Sequence, residues 1–115
     1  MEQEKILLQN IQEFILEGKK AKDGGAFNSA TTLFFKALAI SVDLFILKKE
    51  GFIPSNHTER FRVLKEKYIE MYRIMDKDFP LYQDSYRLKM NKQLVEVLEH
   101  DVQKVTQMAG IKINK

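Results

Sequence analysis

Apolar positions recur along most of the chain at three- and four-residue intervals, and this spacing predicts helices almost throughout. In the first block Leu7, Ile11, Phe14 and Ile15 form a stripe, while Glu4, Glu13, Glu17 and Lys20 lie largely off it. Such a period, with polar residues opposite, marks an amphipathic helix from Glu2 to about Lys22. The stretch "KDGGAF" ends it, because paired glycines are costly inside a helix and natural just after one.

The next block, "ATTLFFKALAISVDLFILKK", is apolar nearly all round and predicts a helix from about Ala26 to Lys49, buried on most sides. Its β-branched and aromatic residues also suit a strand, but its length without turn signals favours helix. Ser29, Thr32, Lys36 and Asp43 make a narrow polar stripe along it. Charges on so greasy a helix are either exposed along a seam or paired, since isolated buried charge is expensive. Lys36 and Asp43 are therefore candidate interface residues that set the register between two copies, unless the stripe simply faces solvent. The apolar excess on the other faces points to more burial than one small bundle supplies, and so to an oligomer.

"EGFIPSNHT" breaks the chain. Pro54 disfavours helix at Ile53, Ser55, Asn56 and Thr58 are competent N-caps, and Glu59 would sit near the positive end of a helix dipole. The helix after it is predicted to reach about Met75, burying Phe61, Leu64, Tyr68, Met71, Tyr72 and Met75. A shorter helix is expected to begin around Pro80, with Leu81, Tyr82, Ser85 and Tyr86 on one side. A last helix, from Lys92 to about Ala109, uses Leu94, Val97, Leu98, Val102, Val105 and Met108, with Gly110 as its stop. The sum is an all-α, up-and-down bundle of four to five helices, one domain over residues 1–110 with a tail at 111–115.

Composition narrows the function. At 115 residues, 44% hydrophobic and 30% charged, the chain has the balance of one globular domain. It lacks cysteine, which removes thiol nucleophiles, zinc–cysteine sites and disulfides together. With only 2 histidines, a histidine-rich metal site within one chain is not expected, nor is a cofactor. A net charge of +3 falls short of the dense positive surface of nonspecific nucleic-acid binders, so any basic patch must be local. No apolar run is read as reaching the roughly 18 residues that span a bilayer, and the first residues are acidic where a signal peptide is basic. A cytoplasmic protein without membrane contact is the expectation.

Two places carry candidate chemistry. His57 stands at a helix entrance, where backbone N–H groups attract anions. It either contacts a phosphate or acts as a general acid, or it merely precedes the helix; with no second residue identified beside it, the latter is favoured. Arg87, Lys89 and Lys92 form a short basic stretch preceded by Tyr82 and Tyr86. Interleaved aromatic and cationic side chains can stack on bases and hold phosphates. The alternative is tyrosines in the core and cations on a wet helix end.

An amphipathic first helix, then "AFNSATTLFFKALAISVDLFILKKEG", a Pro-Ser-Asn-His connector and "LYQDSYRLKM" leading into a final amphipathic helix together resemble the HEPN domains (higher eukaryote and prokaryote nucleotide-binding). The likeness runs from about Met1 to Met108. It implies a small helical bundle that forms homodimers and partners a nucleotidyltransferase, often as a toxin–antitoxin pair, with a nucleotide or RNA as ligand. Active members are metal-independent ribonucleases with an arginine followed four to six residues later by histidine, near the start of the last helix. Here the matching region reads "SYRLKMNKQLVEVLEHD", and Arg87 is followed at those distances by Lys92, Gln93 and Leu94. Neither lysine nor glutamine replaces an imidazole in acid–base cleavage near neutral pH without large perturbation. The expectation is a noncatalytic binding or regulatory module. The alternatives are a divergent metal-independent ribonuclease and a purely structural interaction protein.

Overall fold

The computed structural model describes residues 2–113, and among these it holds five α-helices and no strand: α1 (Glu2–Asp23), α2 (Phe27–Glu50), α3 (His57–Lys67), α4 (Ile69–Asp84) and α5 (Lys92–Met108). The all-α bundle expected from the apolar spacing is the fold observed. α1 turns back along α2 through Gly24–Ala26, with Gly25 at φ 80°, a left-handed angle that glycine adopts without steric cost. α2 packs on α1, α5 and α4, while α3 lies mainly against α4. The core gathers Phe34, Phe35, Leu38, Val42 and Ile46 of α2 with residues of the other four helices.

Every residue from Ser41 to Leu47 is buried, so α2 has no free side over two turns. Its two buried hydroxyls are satisfied by the helix itself: Thr31 donates to the Phe27 carbonyl and Ser41 to that of Ala37. By length and composition α2 is apolar enough to cross a bilayer, with a mean hydropathy of 1.8 over its best 18-residue window. That corrects the expectation that no run approaches such a length. However, 78% of the window is buried inside the bundle. The apolar excess of α2 is thus absorbed within one chain, and the argument from that excess to an oligomer no longer holds.

The connector to α3 follows its predicted chemistry. Asn56 is the N-cap, its side chain accepting from the Glu59 N–H at 2.9 Å, and the Glu59 carboxylate accepts in return from the Ser55 N–H at 2.7 Å. The next boundary differs from expectation. Rather than continuing to Met75, the helix breaks at Tyr68, where φ is −137° and ψ is 68°. Tyr68 is tied down by tertiary contacts: its hydroxyl donates to Glu50 at the end of α2, and its ring meets Phe45 edge-on at 4.8 Å. Nor does a new helix begin at Pro80, which lies inside α4. The hydrogen bond that proline forgoes would involve the Asp76 carbonyl, and Asp76, Lys77 and Pro80 all lie on the exposed side of the helix, where solvation offsets the loss.

On α5 the buried stripe is Val95, Leu98, Val102 and Val105, and Val97 points away from it, 41% exposed. The segment expected as a tail returns to the core as far as described: Ile111 is buried, Ile113 packs on the core, and the Ile111 N–H donates to the Thr106 carbonyl. Residues 114–115 of that segment lie outside the described residues.

α1 approaches α2 closely at Gly18. A Cβ there would lie 2.9 Å from Cε1 of Phe34, with two further atoms of the same buried ring within 3.1 Å. Overpacking of this kind costs about 1–3 kcal/mol, against a gain of about 1 kcal/mol in helix propensity for alanine. Gly18→Ala is therefore expected to lower the free energy of unfolding, by about 1 kcal/mol net, and Gly18→Val by more. Urea unfolding of the two variants checks the order.

Candidate functional site

The first turn of α3 meets α2 through an ion pair. Arg60 grips Asp43 with both arms, Nε to Oδ1 at 2.7 Å and Nη2 to Oδ2 at 2.9 Å, and both residues are buried. This parallel two-bond geometry is the strongest that a guanidinium and a carboxylate make. Asp43 is therefore occupied within the subunit, and its charge no longer calls for an interface to account for it. Lys36, one heptad earlier on the same side of α2, remains exposed with its ammonium 5.8 Å from the centre of the Phe14 ring. The polar stripe is split because α3 covers only its C-terminal part.

Arg60 has one arm left, and Nη1 lies 2.5 Å from Nδ1 of His57. A guanidinium only donates, so Nδ1 accepts and the neutral ring carries its proton on Nε2. Burial and then the Arg60 charge hold the His57 imidazole below its usual pKa, against a smaller opposing pull from Asp43. His57 does more than precede a helix, then: it has a second residue beside it. The signal is in the sequence as "HTER", since residues three apart share a helix face. What the sequence lacks is Asp43, seventeen residues earlier, which fixes the arginine.

From His57 a row of rings leads to the end of α4. Its ring centre lies 5.0 Å from Phe79 and 6.1 Å from Phe35. Phe35 stacks on Tyr82 at 4.6 Å with planes 14° apart, and Tyr82 meets Tyr86 at 5.5 Å. The two tyrosine hydroxyls share a hydrogen bond of 2.9 Å, and that bond together with partial burial raises the Tyr82 phenol above its usual pKa. The structure thus joins three predicted residues, His57, Tyr82 and Tyr86, through two phenylalanines that the sequence does not single out. Tyr82 is largely a packing residue. Tyr86 is 73% exposed.

Arg87, Lys89 and Lys92 are exposed on and just after the connector between α4 and α5. This connector is pinned by Asn28 from the first turn of α2. The Asn28 amide donates to the carbonyls of Ser85 at 2.8 Å and Leu88 at 2.7 Å, and its oxygen accepts from the Met90 N–H at 3.0 Å. Asn91 then caps α5 by accepting from the Leu94 N–H. Three bonds from one side chain hold Tyr86, Arg87, Leu88 and Lys89 outward in a defined loop. Asn28 could not be recognised from sequence, because its partners lie about sixty residues away. Among the described residues, no group of three histidine, aspartate or glutamate side chains is placed to hold a metal ion.

Removing one partner of a buried ion pair strands the other, at a cost of about 3–5 kcal/mol. Asp43→Ala and Arg60→Ala are each expected to destabilise the protein by about that amount in chemical unfolding. The double variant Asp43→Leu/Arg60→Met, which strands no charge, is expected to recover most of the loss. Comparison of the chain with models of known families, with curated proteins and with solved structures finds no match to any of them.

Proposed function

We propose that this chain is a noncatalytic, HEPN-like binding module, in which the loop Tyr86–Lys89, with Lys92 beside it, engages a nucleotide or a short stretch of unpaired RNA. One observation carries the reading: the Asn28 staple holds an exposed tyrosine and its neighbouring cations in a fixed loop on a rigid scaffold. Exposed aromatic and basic residues on a pinned loop are arranged for a ligand, since a merely solvated connector needs no such restraint. Tyr86 supplies a ring for base stacking, and Arg87, Lys89 and Lys92 supply charge for phosphates. The all-α bundle, with its apolar second helix at the centre, supports the resemblance at the level of fold class. The homodimer and the nucleotidyltransferase partner belong to the same proposal and rest on the resemblance, and the cytoplasmic setting belongs to it on the acidic character of the first residues.

The noncatalytic part has its own support. The group best suited to acid–base work, His57, is hydrogen-bonded to Arg60, a guanidinium that stays protonated and is itself held by both oxygens of Asp43. Neither Arg87 nor Lys92 hydrogen-bonds to His57 among the described residues.

The test is binding of a fluorescent single-stranded RNA, followed by anisotropy, together with a cleavage assay in Mg²⁺-free buffer. Tyr86→Ala is expected to weaken binding about tenfold, consistent with about 1–3 kcal/mol for one stacked base. Arg87→Ala is expected to weaken it and to flatten its dependence on salt. Wild-type binding that neither variant alters would sink the loop as the site, and absence of binding would leave a structural interaction protein. Magnesium-independent cleavage that disappears in Arg87→Ala would replace the module with a divergent ribonuclease.

A further inference from the structure

The seam between α4 and α5 contains a second polar cluster, without a counterpart in the function proposed above. Asp78 of α4 is completely buried, and neither of its oxygens has a hydrogen-bond donor among the described residues. Asp101 of α5, 5% exposed, shares the Lys77 ammonium with it. Lys77 bridges the pair, with Nζ 2.8 Å from Asp101 Oδ2 and 3.8 Å from Asp78 Oδ1. His100 Nδ1 stands 3.8 Å from Asp101 Oδ1, on a ring 75% exposed.

We propose that Asp78 and Asp101 hold one proton between them, and that this shared proton latches α4 to α5, so that its loss in mildly alkaline solution loosens the seam. With the proton in place, Asp78 donates to the Asp101 carboxylate, Lys77 neutralises the remaining charge, and the cluster is neutral overall. Without it, two carboxylates face one another in the interior with a single, half-exposed ammonium between them. A buried anion with no donor is among the costliest arrangements in a protein, and outward movement of one helix relieves it by admitting water.

The electrostatics agree. Burial, reinforced by the hydrogen bond to Asp101 and by its charge, pushes the Asp78 carboxyl up to about 8, with Lys77 opposing. Burial also pushes Asp101 upward, but hydrogen bonds from Asp78 and Lys77 hold it below the usual carboxylate range. Two carboxyls pushed in opposite directions are the signature of a single shared proton. Lys77 is in turn raised, chiefly by its hydrogen bond to Asp101. Of the charged residues on α2 and α3, Asp43 pairs with Arg60, Glu50 with Lys67, and Arg62 with Glu66. Lys36 lies over Phe14, and Glu96 shares with Lys77 and His100 the open hollow above Asp101.

The sign of the effect follows from linkage. A carboxyl whose pKa is higher folded than unfolded binds more protons in the folded state between the two values. Stability therefore falls as pH rises from about 4 through about 8, and levels off above it.

Two measurements on the intact chain test the latch. In ¹³C NMR titration of the aspartate side chains, one carboxyl is expected to titrate near pH 8; all of them titrating below pH 6 would overturn the proposal. In Asp78→Asn the amide reproduces the donor of the shared proton at every pH. Between pH 6 and pH 8 the wild-type unfolding constant is expected to rise by up to about tenfold per unit, and that of the variant to stay nearly flat. At pH 8.5, amide exchange along α5 is expected to be faster in the wild type than in the variant. A variant with the wild-type pH slope, or one whose α5 exchanges as fast, would likewise refute the latch. Should Asp78→Asn fail to fold, the wild-type titration decides alone.

Discussion

The structure depends on hiding one helix. α2 is apolar on almost every face, and the other four helices are placed so that its middle turns are covered completely. Burial of apolar area is the dominant favourable term in folding, and it is roughly proportional to the area removed from water. It is also non-directional. Covering α2 does not by itself say which helix lies where, and that selection falls to the few polar groups at the seams.

Those groups act as locks between α2 and its neighbours. Asp43 and Arg60 fix the start of α3 against α2, and Glu50 with Tyr68 and Lys67 fixes its end. Asn28 fixes the connector into α5, and Lys22 reaches Glu99 to tie α1 to α5. Each lock joins residues far apart in sequence, and the buried Asp43–Arg60 pair would be costly to leave half-made. They make the greasy packing specific. The same logic gives the Asp78–Asp101 contact its tension, because there the polar partner of a buried acid is a second acid.

The proposed function sits where these locks leave a loop both fixed and exposed. The row of rings from His57 to Tyr86 links the capped start of α3 to the loop before α5 through Phe35 and Phe79. Tyr86 is thereby held on one side by the edge-on contact and the hydroxyl bond to Tyr82, which itself stacks on Phe35. A ring held in this way loses little conformational freedom when a planar ligand settles on it.

What the sequence determined by itself was the class of fold and most of its punctuation. Apolar spacing specified α1, α2 and α5 nearly to the residue, and Asn56, Gly51 and Gly110 mark helix ends by local chemistry that needs no distant partner. His57, Tyr82, Tyr86, Arg87, Lys89 and Lys92 were also legible as candidates, since residue type and local spacing announce them. The tertiary structure decided the rest. It broke the third helix at Tyr68, carried α4 through Pro80, turned Val97 outward, moved Asp43 from a supposed interface into an internal ion pair, and brought Asp78 against Asp101. The physical reason is common to all five. A periodic pattern encodes which face of a helix avoids water, whereas pairing between helices depends on their relative rotation and height, which no local stretch of sequence contains.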